Sequence, residues 1–170
     1  GGETTGGETG DFPSVPSELS ITDAYAVAGG TVTVSVNLYN ADPYVGWQFN
    51  STWDSTWFTM LSTAEGAHFD EWDGFLADSV GGVPIGDSSG GSTDATDTGD
   101  VRFIAVSISG SVVDPMYGSV VDIELDVASD TPAGTYELGL HTATIATAAA
   151  ESLPLITTNG WLHVSEGPPP

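Results

Sequence analysis

At 170 residues the chain is long enough for one domain with a full core and too short for two ordinary ones. Its 24 acidic side chains stand against one basic side chain, Arg102, for a formal charge of -23; this excludes phosphate-backbone binding and disfavours anionic membrane surfaces. With neither Lys nor Cys in the chain, Schiff-base chemistry, the phosphate-loop lysine, thiol catalysis, disulfides and Cys-based metal sites are excluded too.

The chain opens on GGETTGGETG, which has no apolar side chain to bury and so nothing to offset its ordering entropy. DFPSVPSELS follows, where Pro13 and Pro16 favour an extended conformation around Phe12 and Val15. Residues 1–18 therefore read as an extended arm, 19–164 as the folded body and 165–170 as a Pro-rich stub. The body is written in period two. Val32, Val34, Val36 and Leu38 alternate with Thr31, Thr33, Ser35 and Asn37; Trp47 and Phe49 alternate with Gln48 and Asn50. Val101 to Ile108 is apolar on both faces, as a central strand requires. Ile123, Leu125 and Val127 alternate with Glu124 and Asp126, and Tyr136, Leu138 and Leu140 with Glu137, Gly139 and His141. Gly29-Gly30, Asp42-Pro43, Asp114-Pro115, Pro132-Ala133-Gly134 and Asn159-Gly160 supply the turns. Gly81 to Asp100 reads as a long surface loop, and Ala146 to Glu151 fits either a turn of helix or a strand end. This pattern predicts an all-β, about nine-stranded antiparallel sandwich of jelly-roll type with an extended N-terminal arm. Val32, Val34, Val36, Trp47, Phe49, Ile123, Leu125 and Leu138 are its expected core. No run of 18 apolar residues exists, so no membrane span is expected.

Catalytic signals are weak. His68, His141 and His163 are far apart and fit no triad or metal spacing. A glycosidase acid pair needs a cleft and a shifted pKa, which a pattern of acids does not specify; no enzyme is expected and no cofactor is required. Calcium is the ion the acids would suit. Asp94, Asp97 and Asp100 recur at spacing three, and Asp70 and Asp73 cluster around Trp72. Flexible acidic loops of this kind supply the oxygen ligands calcium wants, although the EF-hand pattern is absent. The opposing reading is a solvated acidic loop. Asn50-Ser51-Thr52 is an N-glycosylation sequon, and parity places Asn50 outward, where a glycan would fit. Of the aromatics between 44 and 75, Trp47, Phe49 and Trp53 share the inward parity, which leaves Trp57 and Trp72 as the ones a sugar ring would reach.

Four segments in order, GGTVTVSVNLYN (29–40), VGWQFNSTWDS (45–55), TPAGTYELGL (131–140) and NGWLHV (159–164), resemble the strand motifs of the cohesin module. The resemblance spans about residues 19–164. It implies a nine-stranded jelly-roll sandwich without catalytic activity, in a family that binds dockerin modules or builds cell-surface and extracellular assemblies. Two classes of function follow. In the first, the chain is an extracellular structural or adhesive subunit that polymerises head-to-tail with copies of itself. The arm residues Phe12, Pro13, Val15, Pro16 and Leu19 would then dock on the neighbouring sandwich. In the second it is a protein-binding module for a dockerin-like partner, with a polysaccharide as a third ligand class. All three place it outside the cell or on its surface.

Overall fold

The computed structural model describes residues 16–66, 75–79, 84–85, 100–106, 112–149, 151–153 and 155–167. Thirteen strands run through them: β1 (Ser17–Ile21), β2 (Ala24–Val27), β3 (Thr31–Tyr39), β4 (Gly46–Thr52), β5 (Phe58–Glu65), β6 (Phe75–Ser79), β7 (Pro84–Ile85), β8 (Asp100–Val106), β9 (Tyr117–Val127), β10 (Gly134–Ala146), β11 (Ser152–Leu153), β12 (Leu155–Thr158) and β13 (Gly160–Ser165). The smaller sheet has the order β12-β1-β3-β9-β5. The larger runs β2-β13-β10-β4-β8-β6-β7, with β11 paired to β10. The all-β sandwich expected from the alternation is what forms.

The strand count exceeds nine because two segments change sheets midway and because the two-residue strands β7 and β11 add to the large sheet. β1 lies in the small sheet and β2, two residues later, in the large one. β12 and β13 make the same switch around Asn159. The two segments run parallel throughout, Leu155–Thr158 beside Ser17–Ser20 and then Leu162–Ser165 beside Ala24–Val27. At the crossing the backbones nearly touch: a Cβ on Gly160 would lie 2.5 Å from the Ile21 carbonyl oxygen. A residue without a side chain is required there.

The inner faces of both sheets share one core. Val34, Val36, Leu38, Ile123 and Leu125 enter it from the small sheet, and Trp47, Phe49, Phe103, Leu138 and Ile145 from the large one. Phe49 and Phe103 face each other across β4 and β8, with ring centroids 5.4 Å apart, and Trp47 packs 5.2 Å from Phe49. Aromatic pairs at this separation add to the area they bury. Of the expected core, Val32 alone is only partly buried, packed on the rim of the cluster near the start of β3.

Polar groups close the small sheet's lower end. Asn40 is fully buried; its Nδ2 donates to the carbonyls of Asp42 (3.0 Å), Val113 (3.2 Å) and Asp114 (3.1 Å). Its Oδ1 accepts the Met116 amide at 3.2 Å. One side chain thus ties the end of β3 to the segment entering β9. The described residues of the Ala-rich stretch form no helix: β10 ends at Ala146, and Thr147 closes a turn by accepting the amides of Ala149 and Glu151 on its hydroxyl. Within the expected long loop, Pro84 and Ile85 pair with Asp78 and Ala77 of β6.

Candidate functional site

β4 sits in the middle of the large sheet, so its residues decide both faces of that sheet. Trp47, Phe49 and Ser51 point into the core; Gln48, Asn50 and Thr52 point outward. Register then assembles the outer face. Asn50 stands between His141 of β10 and Arg102 of β8; Gln48 between Thr144 and Ile104; Thr52 between Gly139 and Asp100. His141 and Thr144 are three apart yet serve the same face, because the β10 register shifts between them. The shift is a bulge in which Thr142 adopts φ 54°, a left-handed conformation uncommon for a β-branched residue.

The centre of this face is a fixed polar network. Asn50 Nδ2 donates to Asp100 Oδ1 at 3.0 Å. The same oxygen lies 3.3 Å from His141 Nε2, and His141 Nδ1 lies 2.8 Å from the Thr142 hydroxyl. A carboxylate only accepts, so Nε2 carries a proton, and in the neutral ring Nδ1 accepts from the Thr142 hydroxyl. Beside the network, Gly46, Trp47, Gln48, Ile104, Ala105, Thr144 and Ala146 line a shallow depression of about 210 Å³. Two polar atoms buried in the face have no hydrogen-bond partner among the described residues, Asn50 Oδ1 and Arg102 Nε.

At its β2 edge the same face turns aromatic. Tyr25, 77% exposed, stacks on His163 with centroids 4.7 Å apart, and Trp161 is 42% exposed on the same strand as His163. Asp23 fastens this corner by accepting the Trp161 amide at 3.0 Å, and Asn159 bonds Glu137 and the Leu140 amide. The outer face of the small sheet is different. Asp122, Glu124 and Asp126 form a row of half-buried carboxylates along β9; Asp122 accepts from the Ser35 hydroxyl and Glu124 from that of Ser62.

The residues singled out from sequence distribute as follows. Asn50 is not an outward glycan acceptor: it is 4% exposed and its Nδ2 is committed to Asp100. Parity placed it on the correct face, but Arg102 and His141 directly opposite it crowd that face. Leu19 is not an arm residue either. It is 1% exposed in β1 and belongs to the chain's own core, and β1 begins at Ser17, inside the segment read as arm. Pro16 is exposed just before it. Phe12, Pro13 and Val15 lie outside the described residues, as do Asp70, Asp73, Asp94, Asp97, His68 and Trp72. Asp100 is the one member of the candidate calcium set described, and it holds Asn50 and His141. Among the described residues no cluster of three metal-ligating side chains occurs, and no helix is long and apolar enough to cross a membrane. Trp57 is half-buried rather than exposed; among the described residues of the large sheet, Tyr25 and Trp161 are the exposed aromatics. The outer-face network went unread because its members come from three strands distant in sequence.

The Cohesin domain family model matches residues 17–164. A search of curated proteins found no match. Among solved structures, the chain resembles one from the type I cohesin–dockerin complex Coh-OlpA-Doc918 of Clostridium thermocellum, with TM-score 0.73 and 15% identity, covering 89% of this chain and 100% of that one. A non-cellulosomal cohesin from the archaeon Archaeoglobus fulgidus gives TM-score 0.66 at 14% identity, covering 89% and 92%. The solution structure of CaCohA2 from Clostridium acetobutylicum gives 0.68 at 15%, covering 89% and 92%.

Proposed function

The chain belongs to the cohesin domain family, and on that premise we propose that it is a non-catalytic extracellular module that docks a dockerin-like protein on the outer face of β10, β4, β8 and β6. The observation that carries this reading is the contrast between the two outer faces. Docking strips water from a surface, and stripping charged groups costs most. The small sheet presents the row Asp122, Glu124 and Asp126. Among the described residues, the middle of the large sheet on β4 and β8 presents an amide, hydroxyls, Ile104, an apolar-walled depression, the half-buried Arg102 and the carboxylate of Asp100, already bonded twice, with no row of acids along either strand. Its polar groups are held in place before a partner arrives, which lowers the ordering cost of binding. Membership in the family supports a protein partner, and the neighbour from Clostridium thermocellum was solved as a complex with a dockerin. The fibre reading has lost one of its anchors, since Leu19 is committed to the chain's own core.

The test is calorimetric titration with each dockerin module encoded by the source organism. The proposal expects at least one to bind. Thr144→Arg, which places a bulky cation on the exposed floor of the face, abolishes that binding; Thr33→Arg on the small sheet leaves it intact. Failure of every dockerin to bind, or the reverse pattern of the two variants, would overturn the reading.

A further inference from the structure

The chain's only Arg or Lys side chain stands on this face and is spoken for by nothing described. Arg102 is half-buried on β8, in register with Asn50 of β4 on one side and Asp78 of β6 on the other. Among the described residues it makes no hydrogen bond or ion pair, and its Nε is buried without a partner. In a chain with 24 acids and one such cation, an intramolecular pair would be the expected arrangement. Asp100, two residues away, instead spends Oδ1 on Asn50 and His141. The neighbouring Asn50 Oδ1 is likewise buried without a partner.

Resting on the docking reading above, we propose that Arg102 is the specificity anchor of the face, a guanidinium held for a carboxylate that the docking partner inserts. A planar fork of donors matches a carboxylate in two parallel bonds, which a lysine ammonium does not reproduce. The surrounding field shapes the partner. A chain at -23 repels polyanions at long range, so the ligand is a single Asp or Glu side chain on a partner that is not strongly acidic overall. Polymeric sulfate or phosphate would meet one cation and a wall of carboxylates. Recognition is then double: the field rejects acidic surfaces, and the pocketed cation selects the one acid delivered at the right place.

Because the chain has one arginine, its Nε–H gives a single side-chain signal in a ¹⁵N spectrum, and that signal reports the site directly. The experiment follows it during titration with the dockerin that binds in calorimetry, beside Arg102→Gln, Arg102→Lys and Asp- or Glu-to-amide variants of the dockerin. The expected result is a large shift of the Nε–H signal on binding, a loss of about tenfold or more in affinity for Arg102→Gln at unchanged melting temperature, and only partial recovery by Arg102→Lys. One acid-to-amide change on the dockerin should lose no further affinity when combined with Arg102→Gln, the signature of a coupled pair. If Arg102→Gln binds within twofold of the parent, the anchor is wrong and the docking face survives. If no dockerin binds but heparin moves the Nε–H signal, both the docking reading and the carboxylate ligand are overturned in favour of a sulfated polysaccharide.

Discussion

Replacing Asn40 with Asp exchanges an amide for a carboxylate of the same size at a fully buried site. In the native protein Nδ2 feeds two N–H donors to three carbonyl oxygens, those of Asp42, Val113 and Asp114, all within 3.2 Å. The variant removes both donors and aims a carboxylate oxygen at the three carbonyls. Each lost bond that leaves a buried acceptor unmatched costs about 1–3 kcal/mol. Repulsion by the carbonyls adds to this while the acid is ionised, so Asn40→Asp should lose about 3–5 kcal/mol at pH 7.5, a large part of a domain's typical 5–15 kcal/mol. Protonation lifts part of the penalty. Burial and the facing carbonyls hold the folded pKa of the new acid above its unfolded value. The variant is therefore least unstable below the unfolded pKa, and its deficit grows as pH rises through the folded one. Urea denaturation of parent and variant at pH 7.5 and pH 5 measures this, and the gap should narrow at the lower pH. A variant within 1 kcal/mol of the parent at pH 7.5, or a gap that widens on acidification, would refute the role given to Asn40.

Gly160→Ala forces a Cβ against the Ile21 carbonyl where the two sheet-switching segments cross; it should cost about 2 kcal/mol or more in urea denaturation. Thr142→Gly relieves a left-handed residue, a gain of about 1–2 kcal/mol, against a glycine entropy cost of about 0.5–1 kcal/mol and the loss of the exposed hydroxyl's bond to His141 Nδ1. It should be close to neutral, whereas Thr144→Gly, outside the strained position, should destabilise by about 1 kcal/mol. Truncation through residue 18 should melt below truncation through residue 16. The longer deletion strips Ser17, whose hydroxyl accepts the Ala41 amide, and Glu18, whose carboxylate accepts from Thr158; the difference expected is about 1–2 kcal/mol by denaturant titration.

The sandwich was legible because period-two alternation survives wherever one face is buried and the other open. Val34, Val36, Ile123, Leu125 and Leu138 obey it, and all are core residues. Parity says which face a residue joins, but not how crowded that face is. Asn50 faces away from the core as its position requires, yet it is buried because residues 102 and 141, far off in sequence, bring an arginine and a histidine beside it. The bulge that turns both His141 and Thr144 outward breaks the alternation locally, and no turn-type residue marks it. Leu19 misled because Pro16 masks the start of β1. A strand that pairs in parallel with residues 155–158 owes its place to a partner at the other end of the chain.

The docking face itself is tested most directly by amide chemical-shift mapping of the ¹⁵N-labelled chain, free and saturated with a dockerin that binds it. The account predicts that the perturbed amides cluster in 46–52, 100–106 and 139–146, while 31–37 and 121–127 on the small sheet stay put. Perturbations centred on the Asp122–Glu124–Asp126 row, with the β4 and β8 amides unmoved, would contradict it.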